Sequence, residues 1–402
     1  MKILLLSPIE PFSMHDGVSL RITNLFKILG PRHQIDLICF VEHEIDNKEF
    51  PTHVNDIFHK TQTVYHIPAW KKKEEGWIKE LMNVFYFDID LKKESSEMGS
   101  RLAVALNNNI YDIIFAIGID FMPYLYIDKN IPFIVDMVDS LSLPLYRDFR
   151  ISNNFFEKLR YLKRFFIQSQ REKKYLTKCE KVIVVSYKDA EAIRKSCSNI
   201  KVEIIPNGVD TGYFNPRQTI QNGPSLLFTG VMDFPPNVQA MLYFVQSIFP
   251  QLQNHYPDII LNIVGKSPTP DVVKLNTLNK YINVTGFVED IRPYFEKSTI
   301  YICPMISGAG IKNKLLEAFA MGKAVVATAL ACEGIEATHG KHLLIAQNSN
   351  DFIKHVFELL KNVKLRQELG KNARGLVEEK YSWAAQANKL DNLLKEIIAK
   401  DN

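Results

Sequence analysis

The residues best suited to chemistry lie close together between positions 307 and 328, in the segment SGAGIKNKLLEAFAMGKAVVAT. A glycine-bearing turn at 308–310 lets the backbone approach a ligand closely. A helix predicted from about Ile311 would present free N–H groups that favour phosphate, and Lys312 and Lys314 add positive charge at the same place. The segment is therefore a candidate site for a phosphorylated ligand.

Glu317 is the carboxylate of this segment. Because Lys314 and Glu317 lie three residues apart, they share one face of the predicted helix, whereas Leu315 and Phe319 lie on a face that can pack inward. A carboxylate one to two turns beyond a phosphate-binding helix start lies where the ribose of a nucleotide diphosphate would lie. It could accept hydrogen bonds from both ribose hydroxyls. A Lys–Glu pair on the helix surface is the alternative interpretation.

The elements that must position this segment form two successive series of strands and helices. In the first series, apolar runs predict strands at residues 2–7, 34–40, 63–67, 111–117, 132–138 and 181–186. In the second, they predict strands at 225–229, 259–264, 282–285, 299–303, 324–328 and 343–346. Helix-length segments such as 19–29 separate many of them, which is typical of parallel sheets with crossover helices.

The alternation predicts an α/β protein of two doubly wound lobes joined near Pro206, with a cleft at the carboxyl ends of the strands. Residues 382–399 form an amphipathic pattern, and Ser382 is a candidate N-cap for that last helix.

Composition narrows the class of protein. The 402 residues are 46% hydrophobic and 23% charged, which suits a globular chain of two or three domains. A net charge of +4 does not indicate a nucleic-acid partner. No run approaches the ~18 apolar residues of a membrane span, and the N-terminal run is too short for a signal peptide. The five cysteines are scattered without metal-ligand spacing, so we expect reduced thiols, no metal and a cytoplasmic protein.

Two basic and aromatic segments allow two interpretations. Residues 155–181 carry nine Arg and Lys side chains at spacings compatible with one long helix, and residues 70–77 place three lysines between two tryptophans. Such segments are either solvated surface faces or contacts with an anionic membrane surface at the inner face of the plasma membrane.

The chain resembles the large family of retaining GT-B glycosyltransferases that carry a Glu-x7-Glu motif. Besides the 307–328 segment, the resemblance covers VIVVS (182–186), IPNGVD (205–210), LLFTG (226–230), NIVG (262–265) and VTGFVED (284–290), in the order of the family. It is most similar to bacterial sugar transferases associated with exopolysaccharide systems. The resemblance implies a GT-B fold of two Rossmann-like domains facing a central cleft.

The resemblance also implies which part of the chain forms each domain and which residues bind the nucleotide sugar. Residues 1–205 would form an acceptor-side domain, 206–380 the nucleotide-sugar-binding domain, and 381–402 a helix crossing back to the first domain. Glu317 matches the ribose-binding glutamate, Phe287 and Val288 match the residues that line the base, and the Asp16–Gly17 turn matches the loop that holds the diphosphate and donor sugar. The complete expected nucleotide-sugar-binding set is Asp16, Gly17, Gly230, Lys266, Phe287, Val288, Gly308, Ala309, Gly310, Ile311, Lys312, Lys314, Leu315 and Glu317.

Three departures from the family pattern concern catalysis. Ala309 stands where the first glutamate of the motif would contact the donor sugar, and VMDFPPN follows Gly230 where the family places Arg and Lys for the diphosphate. Lys312, with Lys314 in reserve, is the predicted source of that charge. No histidine occurs between residues 66 and 255, and Asp139 occupies the place of the family's N-terminal-domain histidine. Lys312 and Asp139 are the predicted catalytic residues, although capping of a loop or helix is an alternative role for Asp139.

The implied reaction is metal-independent transfer of a hexose, with retention, from a nucleotide diphosphate sugar to a saccharide or lipid-linked acceptor during polysaccharide synthesis. UDP-glucose or a related UDP-hexose is the expected donor, used as a co-substrate without any further cofactor. The alternatives are a GDP-mannose-dependent transferase, a GT-B epimerase and a non-catalytic sugar-nucleotide-binding partner. The triplet Asp88-Ile89-Asp90 would suit a metal-dependent GT-A enzyme, but it is far from any nucleotide signature. A dinucleotide oxidoreductase lacks support because no G-x-G-x-x-G follows the first strand.

Overall fold

The computed structural model describes residues 1–11, 17–41, 52–65, 96–125, 131–152, 154–197, 199–216, 223–308 and 310–401. The chain divides into two compact units. The N-terminal unit comprises Met1–Pro206 together with Ala387–Asn402, and the C-terminal unit comprises Asn207–Gln386.

The N-terminal unit is built on a seven-stranded parallel sheet of order β3-β2-β1-β4-β5-β6-β7. Its strands are β1 (Lys2–Ser7), β2 (Gln34–Val41), β3 (Lys60–Tyr65), β4 (Ile113–Ile117), β5 (Phe133–Asp136), β6 (Lys181–Val184) and β7 (Val202–Ile204). Strands β1, β4 and β5 are almost entirely buried, because helices cover both faces of a doubly wound parallel sheet.

The helices of this unit alternate with its strands along the chain. They are α1 (Gly17–Leu29), α2 (Thr52–Ile57), α3 (Ser96–Asn108), α4 (Ser142–Ile151), α5 (Phe155–Leu176) and α6 (Tyr187–Ser196), with a 3-10 turn at Gly30–Arg32. The last helix of the chain, α14 (Trp383–Asp401), belongs to the N-terminal unit from Ala387 onward.

The C-terminal unit contains a six-stranded parallel sheet of order β10-β9-β8-β11-β12-β13. Its strands are β8 (Ser225–Thr229), β9 (Ile260–Val264), β10 (Ile282–Val284), β11 (Ile300–Cys303), β12 (Val325–Thr328) and β13 (Leu344–Ala346). The helices are α7 (Pro235–Ser247), α8 (Phe249–His255), α9 (Pro270–Leu278), α10 (Arg292–Lys297), α11 (Asn313–Ala320), α12 (Ser349–Lys361) and α13 (Val363–Lys380), with a 3-10 turn at Ala329–Cys332.

The predicted fold class is confirmed: both units are doubly wound α/β domains with parallel sheets. Strand order reverses between β1 and β4 and again between β8 and β11, and these are the points where such sheets bind ligands. The differences from prediction are local. The long helix predicted over 155–181 ends at Leu176, the strand predicted at 63–67 begins at Lys60, and the helix predicted from Ile311 begins at Asn313. Among the described residues, no helix is long and apolar enough to cross a membrane.

Candidate functional site

The site in the C-terminal unit rests on the carboxyl ends of three neighbouring strands. The N–H of Gly230, after β8, donates to the carbonyl of Val264 at 3.0 Å, and the N–H of Gly265, after β9, donates to the carbonyl of Gly286 at 3.2 Å. A Cβ atom on Gly265 would lie 1.7 Å from the carbonyl oxygen of Gly230, and the φ of Gly265 is +152°. Only glycine therefore fits at 265, and the strand ends form a close-packed backbone surface.

Helix α11 begins next to this surface, after the glycine-bearing turn. Gly308 and Gly310 have φ values of +99° and +71°, and Lys312 is the N-cap residue, without a side-chain cap. The ammonium of Lys312 donates to the carbonyl of Gly310 at 2.7 Å and more weakly to that of Gly308 at 3.4 Å. Lys312 is buried, and these hydrogen bonds hold the two glycine carbonyls of the turn together.

Lys314 lies one position into the same helix turn and reaches the end of β8. Its ammonium donates to Oδ1 of Asn237 and lies 4.3 Å from the ring centroid of Phe228. Asn237 is itself held, since its Nδ2 donates to the carbonyl of Val231 at 2.8 Å. A Cβ atom on Gly230 would come within 2.8 Å of the Lys314 nitrogen. Burial lowers the pKa of Lys314 to about 8, although the nearby Cys303 and Glu317 act in the opposite direction.

Glu317 presents a half-buried carboxylate on the same face of α11. Burial raises its pKa to about 7, and the positive charge of Lys314 only partly offsets that rise. Within the described part of the chain, the carboxylate accepts no hydrogen bond and forms no ion pair. Lys314 donates to Asn237, and it interacts with Glu317 through its charge rather than through a hydrogen bond. The buried face is as predicted, since Leu315 and Phe319 are fully buried.

A cluster of Tyr213, Asp290 and Arg292 was not predicted from the sequence. The charge of Glu317 interacts with Tyr213 of this cluster. The guanidinium of Arg292 stacks 4.1 Å from the ring centroid of Tyr213, and its Nε donates to Asp290 at 2.9 Å. The Tyr213 hydroxyl donates to the same carboxylate at 3.4 Å. Arg292 holds the pKa of Asp290 at about 2, well below its ordinary value, despite an opposing effect of burial. Asn237 and Tyr213 went unpredicted because their partners, Lys314 and Asp290, are each 77 positions away in sequence, and the only local signal was Asn237 in the PPN triplet after β8.

The remaining predicted binding residues differ in how far their side chains are exposed. Phe287 is 75% exposed, and Val288 beside it is half-buried against the core. Lys266 is half-buried, and its carbonyl accepts from the N–H of Met232 at 2.8 Å. Ile311 is half-buried against the core of the unit. Leu315 is the exception, because its side chain is fully buried and its N–H donates to the Lys312 carbonyl at 2.8 Å, so its side chain cannot contact a ligand.

Three predicted positions fall outside the C-terminal unit or outside the described residues. Gly17 is the first residue of α1 in the N-terminal unit. Asp16 and Ala309 lie outside the described residues, as does the Asp88–Asp90 triplet.

Asp139 lies in a tightly held loop after β5 in the N-terminal unit. The preceding residue, Val138, has a φ of +60°, a strained conformation for a β-branched side chain. Its N–H donates to Oδ1 of Asp136 at 3.0 Å, and the other oxygen of Asp136 accepts from Arg21 at 2.8 Å in a buried ion pair. Asp139 itself is half-buried. A strained backbone at the carboxyl edge of a parallel sheet is a common feature of functional loops.

Two buried carboxylates fix the residues that follow Asp139. Glu172 of α5 accepts from the N–H of Leu141 at 2.7 Å and from the hydroxyls of Ser142 and Ser140 at 2.6 and 3.1 Å. Asp189 accepts from the N–H of Ser140 at 3.0 Å. The start of α4 is therefore capped by Glu172, which accepts from the N–H of Ser142 at 3.2 Å from 30 residues away in sequence, and by the hydroxyl of Ser140, which accepts from the N–H of Leu143 at 3.3 Å.

No group of three or more His, Cys, Asp or Glu side chains is arranged to hold a metal ion among the residues that the structure describes.

Comparisons with known proteins show what the sequence and the fold are similar to. Residues 223–362 match the family described as Glycosyl transferases group 1. An uncharacterized 44.6 kDa protein from the cps region of Klebsiella pneumoniae is 24% identical over 402 residues, covering 94% of this chain and 96% of that protein. The solved structure of sucrose-phosphate synthase from Thermosynechococcus elongatus superposes with a TM-score of 0.71 at 16% identity, covering 100% of both chains. Anabaena HepE in complex with UDP-glucose gives a TM-score of 0.64 at 14% identity, covering 98% of this chain and 100% of that one.

Residues 223–362 are thus similar to glycosyl transferases of group 1, and the two parallel-sheet units have the fold of solved GT-B glycosyltransferase structures. The matched segment lies in the unit that contains Gly230, Lys314 and Glu317.

Proposed function

We propose that the chain transfers a hexose from a UDP-sugar to a saccharide or lipid-linked saccharide acceptor, with retention of configuration and without a metal ion, in the synthesis of a polysaccharide. The observation that carries the proposal is the carboxylate of Glu317. It is half-buried, has a pKa raised to about 7, and has no hydrogen-bond or ion-pair partner among the described residues. A half-buried carboxylate whose hydrogen-bonding capacity is unused within the described protein can accept hydrogen bonds from a ligand.

The ribose of the donor would supply these hydrogen bonds. Its two vicinal hydroxyls can donate to the two carboxylate oxygens of Glu317, and hydrogen bonds to a charged acceptor are about twice as strong as neutral ones. The exposed ring of Phe287, with Val288, would then contact the base, as the family resemblance implies.

The diphosphate would lie between the start of α11 and the end of β8. There the glycine backbone permits close approach, and Lys314 provides a cation beside Gly230. Negative charge grows on the leaving diphosphate as the sugar–phosphate bond breaks, and one preorganised donor to such charge can contribute roughly 3 kcal/mol. Lys314 is therefore proposed as the positive charge at the diphosphate, a role predicted first for Lys312 from the sequence. Lys312 is proposed to stabilise the glycine-bearing turn through its bond to Gly310.

Asp139 is proposed to orient the donor sugar or to receive the acceptor proton. The strained backbone at Val138 and the buried carboxylates that hold the loop support a functional role, since such strain persists only where surrounding contacts maintain it. With retention, the acceptor attacks the face from which the nucleotide leaves.

The comparisons support parts of this proposal. Anabaena HepE has been crystallised with UDP-glucose, which favours a UDP-hexose as donor over GDP-mannose. The Klebsiella relative lies in a cps region, which favours a polysaccharide product. An epimerase and a non-catalytic binding partner remain the rivals that the experiment must separate.

The test is a panel of UDP-, GDP-, TDP- and ADP-sugars with the purified protein, with and without EDTA. A donor at 100 times its dissociation constant is expected to stabilise the protein by about 2.7 kcal/mol. The preferred UDP-sugar should also be hydrolysed slowly in the absence of acceptor, equally well with EDTA, and without epimerisation of the sugar.

Glu317→Gln should abolish the thermal shift, whereas Glu368→Gln, at an exposed glutamate of α13, should leave it unchanged. A protein that responds to no nucleotide sugar, or that binds one without ever turning it over, would overturn the proposal.

A further inference from the structure

The hairpin formed by helices α4 and α5 exposes large apolar side chains. At its tip, Ile151, Phe155 and Phe156 are 76%, 73% and 77% exposed. Exposed aliphatic and aromatic side chains are common singly, but contiguous ones indicate a surface that contacts another apolar phase or another protein.

The exposed residues continue as a stripe along α5. Phe155, Leu159, Leu162 and Phe166 follow one another at intervals of four, three and four residues, so they lie on one face of the helix. Each is more than 40% exposed. Phe165, on another face, packs against Tyr146 of α4 with ring centroids 5.4 Å apart. The stripe is therefore distinct from the face by which α5 contacts α4.

Positive charge surrounds this stripe. Between residues 155 and 166, α5 carries four basic side chains, Lys158, Arg160, Lys163 and Arg164, and one acidic side chain, Glu157. Lys158 and Lys163 flank the stripe on its two sides, and Arg160 and Arg164 are exposed on the far side of the helix. An apolar face bordered by basic residues is the pattern of helices that lie in the interface of an anionic bilayer.

A second copy of the chain is the other occupant to consider, because spacings of four and three residues also suit a coiled coil. In such a dimer, Lys158 and Lys163 would lie at the edges of the seam and face the same lysines of the partner helix. Like charges at these positions oppose pairing. The charge distribution therefore favours a negatively charged lipid surface over a second copy.

We propose that the α4–α5 hairpin docks on an anionic lipid bilayer, with Ile151, Phe155 and Phe156 inserted below the headgroups and with Lys158 and Lys163, at the two sides of the stripe, among the phosphates. The hairpin would hold the N-terminal unit at the membrane surface without spanning the bilayer. This docking does not depend on which sugar nucleotide the protein uses.

The experiment measures co-sedimentation of the full chain with vesicles of phosphatidylcholine alone and with 30% phosphatidylglycerol, at low and high salt. The apolar variant is Phe155→Ser/Phe156→Ser, and its matched control is Val273→Ser/Leu278→Ser, which changes two exposed apolar residues of α9. The charge variant is Lys158→Gln/Lys163→Gln, and its matched control is Lys364→Gln/Lys371→Gln on the exposed surface of α13.

We expect the wild type to bind the anionic vesicles, to bind phosphatidylcholine weakly, and to be partly released by salt. Each hairpin variant should lower the partition coefficient by about tenfold or more, and the controls should not change it. Circular dichroism and unchanged thermal shifts with nucleotide sugars would show that the variants are folded.

Two results would overturn the proposal. One is a wild type that does not sediment with anionic vesicles, or that binds them as well after the hairpin substitutions. The other is a dimer in analytical ultracentrifugation that Phe155→Ser/Phe156→Ser dissociates, which would assign the stripe to a second copy of the chain.

Discussion

The ammonium of Lys314 donates to Oδ1 of Asn237, although the two residues are 77 positions apart in the chain. This hydrogen bond brings a cation from the start of α11 to the carboxyl end of β8, beside Gly230. The VMDFPPN segment after β8 carries no Arg or Lys, and Lys314 places a positive charge beside it from another element.

Lys314→Met should weaken nucleotide-sugar binding and slow transfer. The loss of one charge-assisted contact to the diphosphate is expected to lower affinity by about tenfold to a hundredfold. Isothermal titration calorimetry with the preferred donor measures the change, with Lys371→Met on the exposed surface of α13 as the control. Equal affinity in wild type and Lys314→Met would remove Lys314 from the diphosphate site.

The affinity for the donor should fall both below pH about 7 and above pH about 8. Ribose hydroxyls favour the ionised form of Glu317, whose pKa is about 7, so protonation weakens binding as the pH falls below 7. Lys314, with a pKa of about 8, loses its charge above that pH and weakens binding on the alkaline side. Titrations with a UDP-sugar from pH 5.5 to 9 test this, because its diphosphate does not titrate in that range. In Glu317→Gln the fall on the acid side should be absent and the affinity low throughout.

The same carboxylate should cost stability at high pH. The pKa of Glu317 in the folded protein lies above its ordinary value of 4.5, so the folded state favours the protonated side chain. The stabilisation that this protonation gives the folded protein is fully present below pH about 4.5 and is lost as the pH rises through about 7. Glu317→Gln is therefore expected to raise the free energy of unfolding by about 1–2 kcal/mol at pH 8 and to have little effect at pH 4. Urea denaturation at the two pH values measures the difference, and a variant less stable than the wild type at pH 8 would contradict it.

Lys312→Met should lower turnover more than donor affinity. Its ammonium bonds to carbonyls of the glycine-bearing turn, so its removal would loosen the backbone at the proposed diphosphate site and leave Glu317, the proposed ribose ligand, in place. We expect kcat to fall by about tenfold to a hundredfold, with a smaller change in the dissociation constant. Lys364→Met is the control, and equal losses in binding and rate would contradict this role.

Glu172→Gln should disturb the loop around Asp139 and leave donor binding intact. The amide would place donors against the N–H and hydroxyl groups that now donate to the carboxylate. The free energy of unfolding is expected to fall by about 2 kcal/mol, and kcat should fall while the dissociation constant for the UDP-sugar stays unchanged. Glu180→Gln, at an exposed pair with Lys201, is the control. Unchanged kcat in a destabilised Glu172→Gln would make the role purely structural.

Asp391→Asn should destabilise the N-terminal unit through its last helix. The buried carboxylate accepts from Arg32 at 3.1 Å, from His33 at 2.9 Å and from Lys395 at 3.1 Å. Burial raises the pKa of Asp391, but these three bonds outweigh that effect, so its net pKa is lowered. Its stabilisation is therefore present above the ordinary carboxyl range and lost as the pH falls through the folded pKa.

The expected loss for Asp391→Asn is about 2 kcal/mol at pH 7, shrinking toward zero in strong acid, and thermal denaturation across pH measures it. Asp271→Asn, at an exposed carboxylate of α9, should have no comparable effect. Removing residues 382–402 altogether should impair activity, since the helix completes the N-terminal unit. A truncated protein with unchanged kinetics would argue against that role.

The sequence by itself determined most of the strands and the local motif. The run 225–229 predicts β8 residue for residue, because a strand buried on both faces needs a continuous apolar run that turn residues interrupt. Glu317 and the glycine-bearing turn were also evident, since the residues of a short motif on one helix are close in sequence. The edge strand β7 (Val202–Ile204) was missed, because three half-buried residues carry too little pattern.

Only the tertiary structure decided which polar groups meet and what their burial does to them. The Asn237–Lys314 bond, the capping of α4 by Glu172 and the raised pKa of Glu317 each depend on packing between elements that are distant in the chain. Burial changes the free energy of a charge through the surrounding low-dielectric core, and that core exists only once the sheets and helices have assembled.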